Sequence, residues 1–286
     1  MARRRLRRGP VVTAALGPLA AHGERQAGAA RDEPLLEVRG LSLRFGGILA
    51  LDQVSFTVEA GEIVGLIGPN GAGKTTLFNV LSRLYRPAAG DIRFDGASLL
   101  TLSPHAIAAA GIGRTFQNLA LFRSMTVLEN VMVGAHATGA SSFLGNALGL
   151  PAVRREERRL GSEARRMLEL LGLEEAAERP IASLPFGTQK RAEIARALAS
   201  APKLLLLDEP AGGLNHEEVA ELGAVLRRIR AALGLTMLLV EHHMSFVMSV
   251  SDKVVALDFG RVIAQGAPAA VQADEAVIEA YLGRVR

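Results

Sequence analysis

The chain has no cysteine, no tryptophan and only 2 tyrosines among its 286 residues. Without cysteine there is no disulfide, no thiolate metal site and no cysteine nucleophile. A reducing compartment is compatible with that composition. Lysine is scarce too: Lys74, Lys190, Lys203 and Lys253 stand against 29 arginines. Where a lysine does occur, a compact ammonium is the feature that arginine cannot supply. A convincing membrane span is also missing. Val131 to Val153 carries no formal charge for 23 residues, a length that suffices to span. It includes His136, Ser141, Ser142, Asn146 and four glycines, and it reads as a loop plus a short helix.

What is present is an ordinary globular composition, 49% hydrophobic and 22% charged. The length fits one large or two small domains. The net charge of +4 is unevenly spread. Residues 1–31 hold seven arginines and one glutamate, and the remainder is slightly acidic. The body therefore gives no charge argument for a nucleic-acid partner, and none is expected. Residues 1–33 form a basic arm with a modest apolar stretch broken by Gly17 and Pro18. A secretory leader, a mis-assigned start and a lipid-contacting arm are open readings of it. The favoured expectation is a disordered tail with no catalytic consequence.

From residue 34 onward, apolar periodicity alternates between strand and helix. Leu35–Phe45 and Val54–Val58 alternate like half-buried strands. Ile63–Ile67 is a buried strand feeding a glycine-rich loop and a helix over Lys74–Leu84. Ser103 and Pro104 predict a capped helix start leading to Ala110. Residues 154–172 place Leu160, Ala164, Met167, Leu168 and Leu171 on one helical face. Gly187–Ser200 and Glu217–Leu233 read as helices, and Leu204–Leu207 and Thr236–Glu241 as buried strands. This order predicts an α/β fold of the P-loop NTPase kind. Its sheet is mainly parallel, with an antiparallel β edge at the start and a helical subdomain over about 100–185.

The glycine-rich loop is Gly68, Pro69, Asn70, Gly71, Ala72, Gly73, Lys74, Thr75 and Thr76. It matches G-x-x-x-x-G-K-[ST], with a strand before it and a helix after it. The glycines let the backbone curl into a nest of N–H donors for phosphate. The helix adds its positive end. Lys74 can reach β- and γ-phosphates, and the Thr75 hydroxyl oxygen suits Mg²⁺. The four-leucine run Leu204–Leu207 ends in Asp208 and Glu209. An adjacent parallel strand would bring Asp208 beside the loop to hold Mg²⁺. Glu209 would face the space beyond the γ-phosphate, where an attacking water sits.

Further segments fall in a recognisable order. Gln117 lies in Thr115-Phe-Gln-Asn118. Leu184, Pro185, Phe186, Gly187, Thr188 and Gln189 precede a helix. Asn215 closes a Gly-Gly-Leu-Asn run after Pro210, and His242 follows the strand ending at Glu241. Together with the phosphate loop, this series resembles the nucleotide-binding subunit of ATP-binding cassette transporters, from about Leu35 to Leu282. The resemblance implies ATP and Mg²⁺ as ligands. It implies an adenine-stacking role for Phe45, which on geometry alone reads equally as a core residue. It implies that Gln117 senses Mg²⁺ and the attacking water, and that His242 contacts the γ-phosphate and steadies Glu209. Asn215 resembles the last residue of the loop crossing the dimer interface.

The signature segment departs most from the family. Its common form is Leu-Ser-Gly-Gly-Gln, and here Pro185 removes both a hydroxyl and an N–H. A weaker clamp on the opposite subunit's ATP is expected, with the Thr188 hydroxyl as a partial substitute. Leu-Pro-Phe-Gly and the segments Arg44-Phe-Gly-Gly47 and Thr126-Val-Leu-Glu-Asn-Val131 are similar to branched-chain amino acid importers. With the insertion over Gly134–Val153, they look more like the larger of the two ATPase subunits there. The resemblance implies a peripheral subunit at the cytoplasmic face of the membrane. Its partners would be a second ATPase subunit (a copy or a relative), transmembrane permease subunits and, indirectly, an external substrate-binding protein. A transporter for urea, another amide or lipid stays open, as does a non-transport ATPase.

Overall fold

A computed structural model describes residues 33–117, 119–136 and 151–282. The basic arm, Asn118 and most of the Gly134–Val153 insertion lie outside the described residues.

Among the described residues, ten strands form two sheets. The first is antiparallel: β1 (Leu36–Phe45) sits between β2 (Ile48–Val58) and β4 (Ala89–Phe94), and β4 carries β5 (Ala97–Ser98). The expected edge is thus a separate four-stranded sheet, and β2 starts six residues before the alternating stretch Val54–Val58. The second sheet has the order β10-β9-β3-β8-β7-β6. It comprises β3 (Ile63–Ile67), β6 (Ile112–Arg114), β7 (Leu204–Asp208), β8 (Thr236–Val240), β9 (Lys253–Asp258) and β10 (Arg261–Gly266). All its pairings are parallel except β9 with β10.

The central strands are continuous apolar runs because both of their faces are covered. The period of two then sorts side chains strictly. Ile63, Ile67, Leu205, Leu207, Met237 and Leu239 enter one core. Val64, Leu66, Leu204, Leu206, Leu238 and Val240 enter the other, with the residues of β1, β2 and β4. A single large-to-small change in either layer costs about 2–5 kcal/mol.

The helices complete the layers. They are α1 (Lys74–Leu81), α2 (Ala106–Ala110), α3 (Val127–His136), α4 (Pro151–Leu171), α5 (Phe186–Leu198), α6 (His216–Leu233), α7 (Met244–Val250), α8 (Pro268–Gln272) and α9 (Glu275–Leu282). On α4, Leu160, Ala164, Met167, Leu168 and Leu171 are all buried, as their spacing predicts. Helix α3 opens with a capping box: Thr126 Oγ1 accepts from Glu129 N, and Glu129 accepts from Thr126 N. Ser103 does not cap α2, which starts at Ala106. Ser103 and Pro104 form the turn before it, their carbonyls accepting from Ala106 and Ile107. No described helix is long and apolar enough to cross a membrane.

Candidate functional site

The loop from Gly68 to Gly73 joins the end of β3 to the start of α1. Its glycines are required by backbone shape. Gly68, Gly71 and Gly73 have φ of 150°, 83° and 102°. A Cβ on Gly68 would lie 2.2 Å from the Leu257 carbonyl oxygen, and one on Gly73 2.7 Å from that of Ala50. The loop can therefore adopt its path only because those positions lack side chains. Pro69, Asn70 and Ala72 fill the turn, and Ala72 is buried. Lys74 is buried as well, and its Nζ donates to the carbonyls of Gly68 (2.6 Å) and Pro69 (2.9 Å). Burial lowers its pKa, and the Glu209 carboxylate opposes that shift. Thr75 is exposed and Thr76 half-buried at the head of α1.

Strand β7 is not the neighbour of β3, contrary to the simplest placement. Strand β8 intervenes, since β3 pairs with β8 and β8 with β7. Register nevertheless levels the two ends. Leu66 and Asp208 both pair with Val240. Asp208 thus reaches the same edge of the sheet as the loop, two strand spacings away, or about 10 Å. That edge is the carboxyl end of the strands, where parallel α/β sheets hold ligands.

Asp208 is buried and its Oδ2 accepts from Arg114 Nη2 at 3.0 Å. Glu209 lies just past β7 with a φ of 47°, a conformation uncommon for a non-glycine residue. Its N–H donates to the Val240 carbonyl, which holds it in that place. Its Oε2 accepts from Gln117 Nε2 at 3.1 Å and lies 3.9 Å from His242 Nδ1. The structure therefore brings Gln117, Glu209 and His242 together around one carboxylate. Asp208, Thr75 and Gln117 offer a carboxylate, a hydroxyl and an amide oxygen. That all-oxygen set fits a hard divalent cation such as Mg²⁺, and the Gln117 amide nitrogen being turned to Glu209 leaves its oxygen for such a role.

Phe45 is not a core residue. It is 44% exposed and meets Tyr85 edge-on, with ring centroids 5.1 Å apart. The signature segment belongs to a different surface. Pro185 precedes the first turn of α5, and the helix starts at Phe186, one residue before the expected glycine. Phe186 is exposed and packs on Gly213, and the Lys190 ammonium lies over its ring. Gly187 and Thr188 share a shallow pocket with Leu214, Glu218 and Glu221. A Cβ on Gly187 would come 2.8 Å from Glu218. Asn215 caps α6 through a capping box with Glu218.

Several site residues are not legible from sequence spacing. Arg114 ties Asp208 to Asn79 and Ser82 of the phosphate-loop helix region. Glu241 is fully buried and accepts from the backbones of Ala211 and His242, joining the Glu209 and His242 segments. Lys190 Nζ donates to the Glu209 carbonyl at 3.3 Å. Glu193 and Arg196, one turn apart on α5, hold the loop that carries Gln117. Glu193 accepts from the N–H groups of Phe116 and Ala120, and Arg196 donates to the Ala120 carbonyl. Burial raises the Glu193 pKa, and the two N–H groups, Lys190 and Arg196 oppose that shift. The scarcity of lysine was one usable signal, because Lys74, Lys190 and Lys253 all place their ammonium on backbone carbonyls.

Comparison with known proteins identifies the family. Residues 51–212 match the ABC transporter family, and residues 261–285 match the branched-chain amino acid ATP-binding cassette transporter family. The chain is 45% identical over 250 residues to the high-affinity branched-chain amino acid transport ATP-binding protein BraF of Pseudomonas aeruginosa, covering 87% of this chain and 98% of BraF. It is 43% identical over 251 residues to the corresponding protein LivG of Escherichia coli, covering 88% and 98%. Among solved structures, the ADP conformation of MJ1267, an ATP-binding cassette of an ABC transporter, superposes with a TM-score of 0.77 at 31% identity, covering 88% of this chain and 100% of that one. A dimeric bacterial ABC transporter cassette, MJ0796, gives 0.67 at 26% identity, covering 82% and 98%. The chain belongs to the ATP-binding cassette transporter family, as an ATPase of its branched-chain amino acid branch.

Proposed function

We propose that this chain hydrolyses ATP to drive import of branched-chain amino acids, working at the cytoplasmic face of a membrane that it does not itself cross. The observation that carries the reading is the Glu209 carboxylate, with Gln117 and His242 beside it, at the sheet edge that also ends in the phosphate loop. The cargo follows from the similarity to the branched-chain amino acid transport proteins BraF and LivG.

In this reading the nest of Gly68 to Thr76 and the Lys74 ammonium hold the phosphates, and Phe45 stacks on adenine. Thr75, Asp208 and Gln117 would hold Mg²⁺, which supplies charge neutralisation on the phosphate oxygens. Glu209 accepts a proton from water as that water attacks the γ-phosphate, so it works as a general base. Gln117 and His242 orient the carboxylate and the water from either side. Residues 34–286 form one ATPase unit, with a helical part over about 100–185 in which α3 and α4 pack against each other and against α5. Pro185, Phe186, Gly187 and Thr188 serve the ATP of a second ATPase subunit, a copy or a relative. Supporting this, Gly187 and Thr188 border a pocket whose other walls include Leu214, Glu218 and Glu221 and no residue of the phosphate loop, and the MJ0796 cassette is dimeric. The exposed Phe122, following Gln117, faces the permease subunits. An external substrate-binding protein delivers cargo to them.

The test is uptake by vesicles carrying this chain with its membrane subunits and binding protein. ATP-dependent accumulation of leucine, isoleucine or valine that is lost in Glu209→Gln supports the reading. ATP hydrolysis with uptake of urea alone would replace the cargo, and absence of ATP hydrolysis would remove the function.

A further inference from the structure

Tyrosine is rare here: Tyr85 and Tyr281 are the two. Tyr85 meets Phe45 edge-on. Tyr281 lies at the far end of the chain, in the last turn of α9, within the stretch that matches the branched-chain cassette family separately from residues 51–212. Helix α9 packs on β10 and α8 through the buried Val277. From there the Tyr281 hydroxyl accepts a hydrogen bond from the N–H of Gly68 at 2.7 Å, across 213 residues of sequence.

Gly68 is buried and constrained on every side. Its N–H goes to Tyr281, its carbonyl takes the Lys74 ammonium at 2.6 Å, and its α-carbon abuts the Leu257 carbonyl so closely that no side chain fits. A buried N–H deprived of its acceptor is costly, so the residue would move to find another. Moving Gly68 moves the carbonyl that holds Lys74. Burial raises the Tyr281 pKa, so the hydroxyl stays neutral and remains a steady acceptor near neutral pH.

We propose that Tyr281 is a positioning residue for the phosphate loop, by which the docked C-terminal helix sets ATP affinity through Gly68 and Lys74. The proposal rests on the reading of residues 68–76 as the nucleotide-phosphate site. It gives the C-terminal segment a task within the ATP site, where folding alone would need only its apolar face.

Tyr281→Phe keeps the ring and removes the acceptor. Titration with a fluorescent ATP analogue should show binding weakened roughly three- to tenfold. Hydrogen exchange without nucleotide should show the Gly68 amide losing protection. Ile278→Ala is the control: Ile278 is on the same helix and 44% exposed. Its removal trims the helix without touching the hydroxyl, so affinity should stay within about twofold. The proposal is overturned if the unaltered chain binds the analogue and Tyr281→Phe binds it equally well. It is also overturned if Ile278→Ala weakens binding as much as Tyr281→Phe, because docking rather than the hydroxyl would then be responsible. Failure of the unaltered chain to bind the analogue would instead remove the nucleotide reading, and the proposal with it.

Discussion

The phosphate loop and the loop that carries Gln117 meet at one sheet edge but are built in opposite ways. The phosphate loop is made of its own backbone. Glycines give it its path, and its lysine folds back onto its own carbonyls six and five residues away. The Gln117 loop is held from outside. Glu193 and Arg196 reach it from α5, and the fully buried Asn130 of α3 holds both the N–H and the carbonyl of Phe122. The first is stiff by construction. The second is tied to α3 and α5 and would follow them, as the proposed coupling of the ATP site to a permease requires.

The largest effects should fall on the chemistry that both loops serve. Glu209→Gln removes the proton acceptor, so phosphate release should slow by about 10²-fold or more, with ATP still bound in a filter assay. Near-normal turnover would move the base elsewhere. Lys74→Ala should act earlier, at binding, and a variant that bound ATP normally would show that the loop's backbone suffices alone.

The contrast between the loops is sharpened by Glu193→Leu. It leaves the Phe116 and Ala120 N–H groups without their acceptor, each at about 1–3 kcal/mol if no water replaces it. Hydrogen exchange should rise over residues 115–121 while the phosphate loop stays protected. Exchange rising equally in both loops would erase the distinction drawn between them. Glu193→Gln keeps one acceptor oxygen and should restore most of the protection. It should also change the pH dependence. The folded pKa of Glu193 lies above the unfolded value of about 4.3, so the folded state binds more protons in that window. The contribution of Glu193 to stability is therefore largest in acid and falls as pH rises through the window. Melting curves of Glu193→Gln should lack that part of the slope. The smallest effect is expected for Thr188→Ala, which should modestly reduce ATP-driven dimerisation in a Glu209→Gln background, read by light scattering.

The same contrast explains what could be read from sequence. The phosphate loop, Asp208 and Glu209 follow from contiguous residues, because a backbone nest and a strand end are local structures. Many strands and helices are legible for the same reason, since buried runs and one-face periodicity are local too, whereas β4, β5, β6 and the first half of β2 go unread. Most of what is missed is non-local. Nothing in the run Leu204–Leu207 says that β8 will insert between β7 and β3. The exception is Ser103, where a local turn takes up the expected capping position before α2. Spacing gives Glu193, Glu241 and Arg114 no role of their own. Each has a partner between 30 and 94 residues away, and only packing discloses it.

Lys74 shows what folding can settle in advance. A lysine side chain in water samples many rotamers, and fixing it on a ligand costs up to about 2 kcal/mol of entropy. Here the carbonyls of Gly68 and Pro69 already hold the ammonium, so that ordering is completed when the chain folds. An arriving phosphate meets a cation whose position is fixed and whose third proton is still to be shared. If residues 68–76 hold the phosphates as proposed, part of the entropy of ordering that cation is then spent in folding and not in binding.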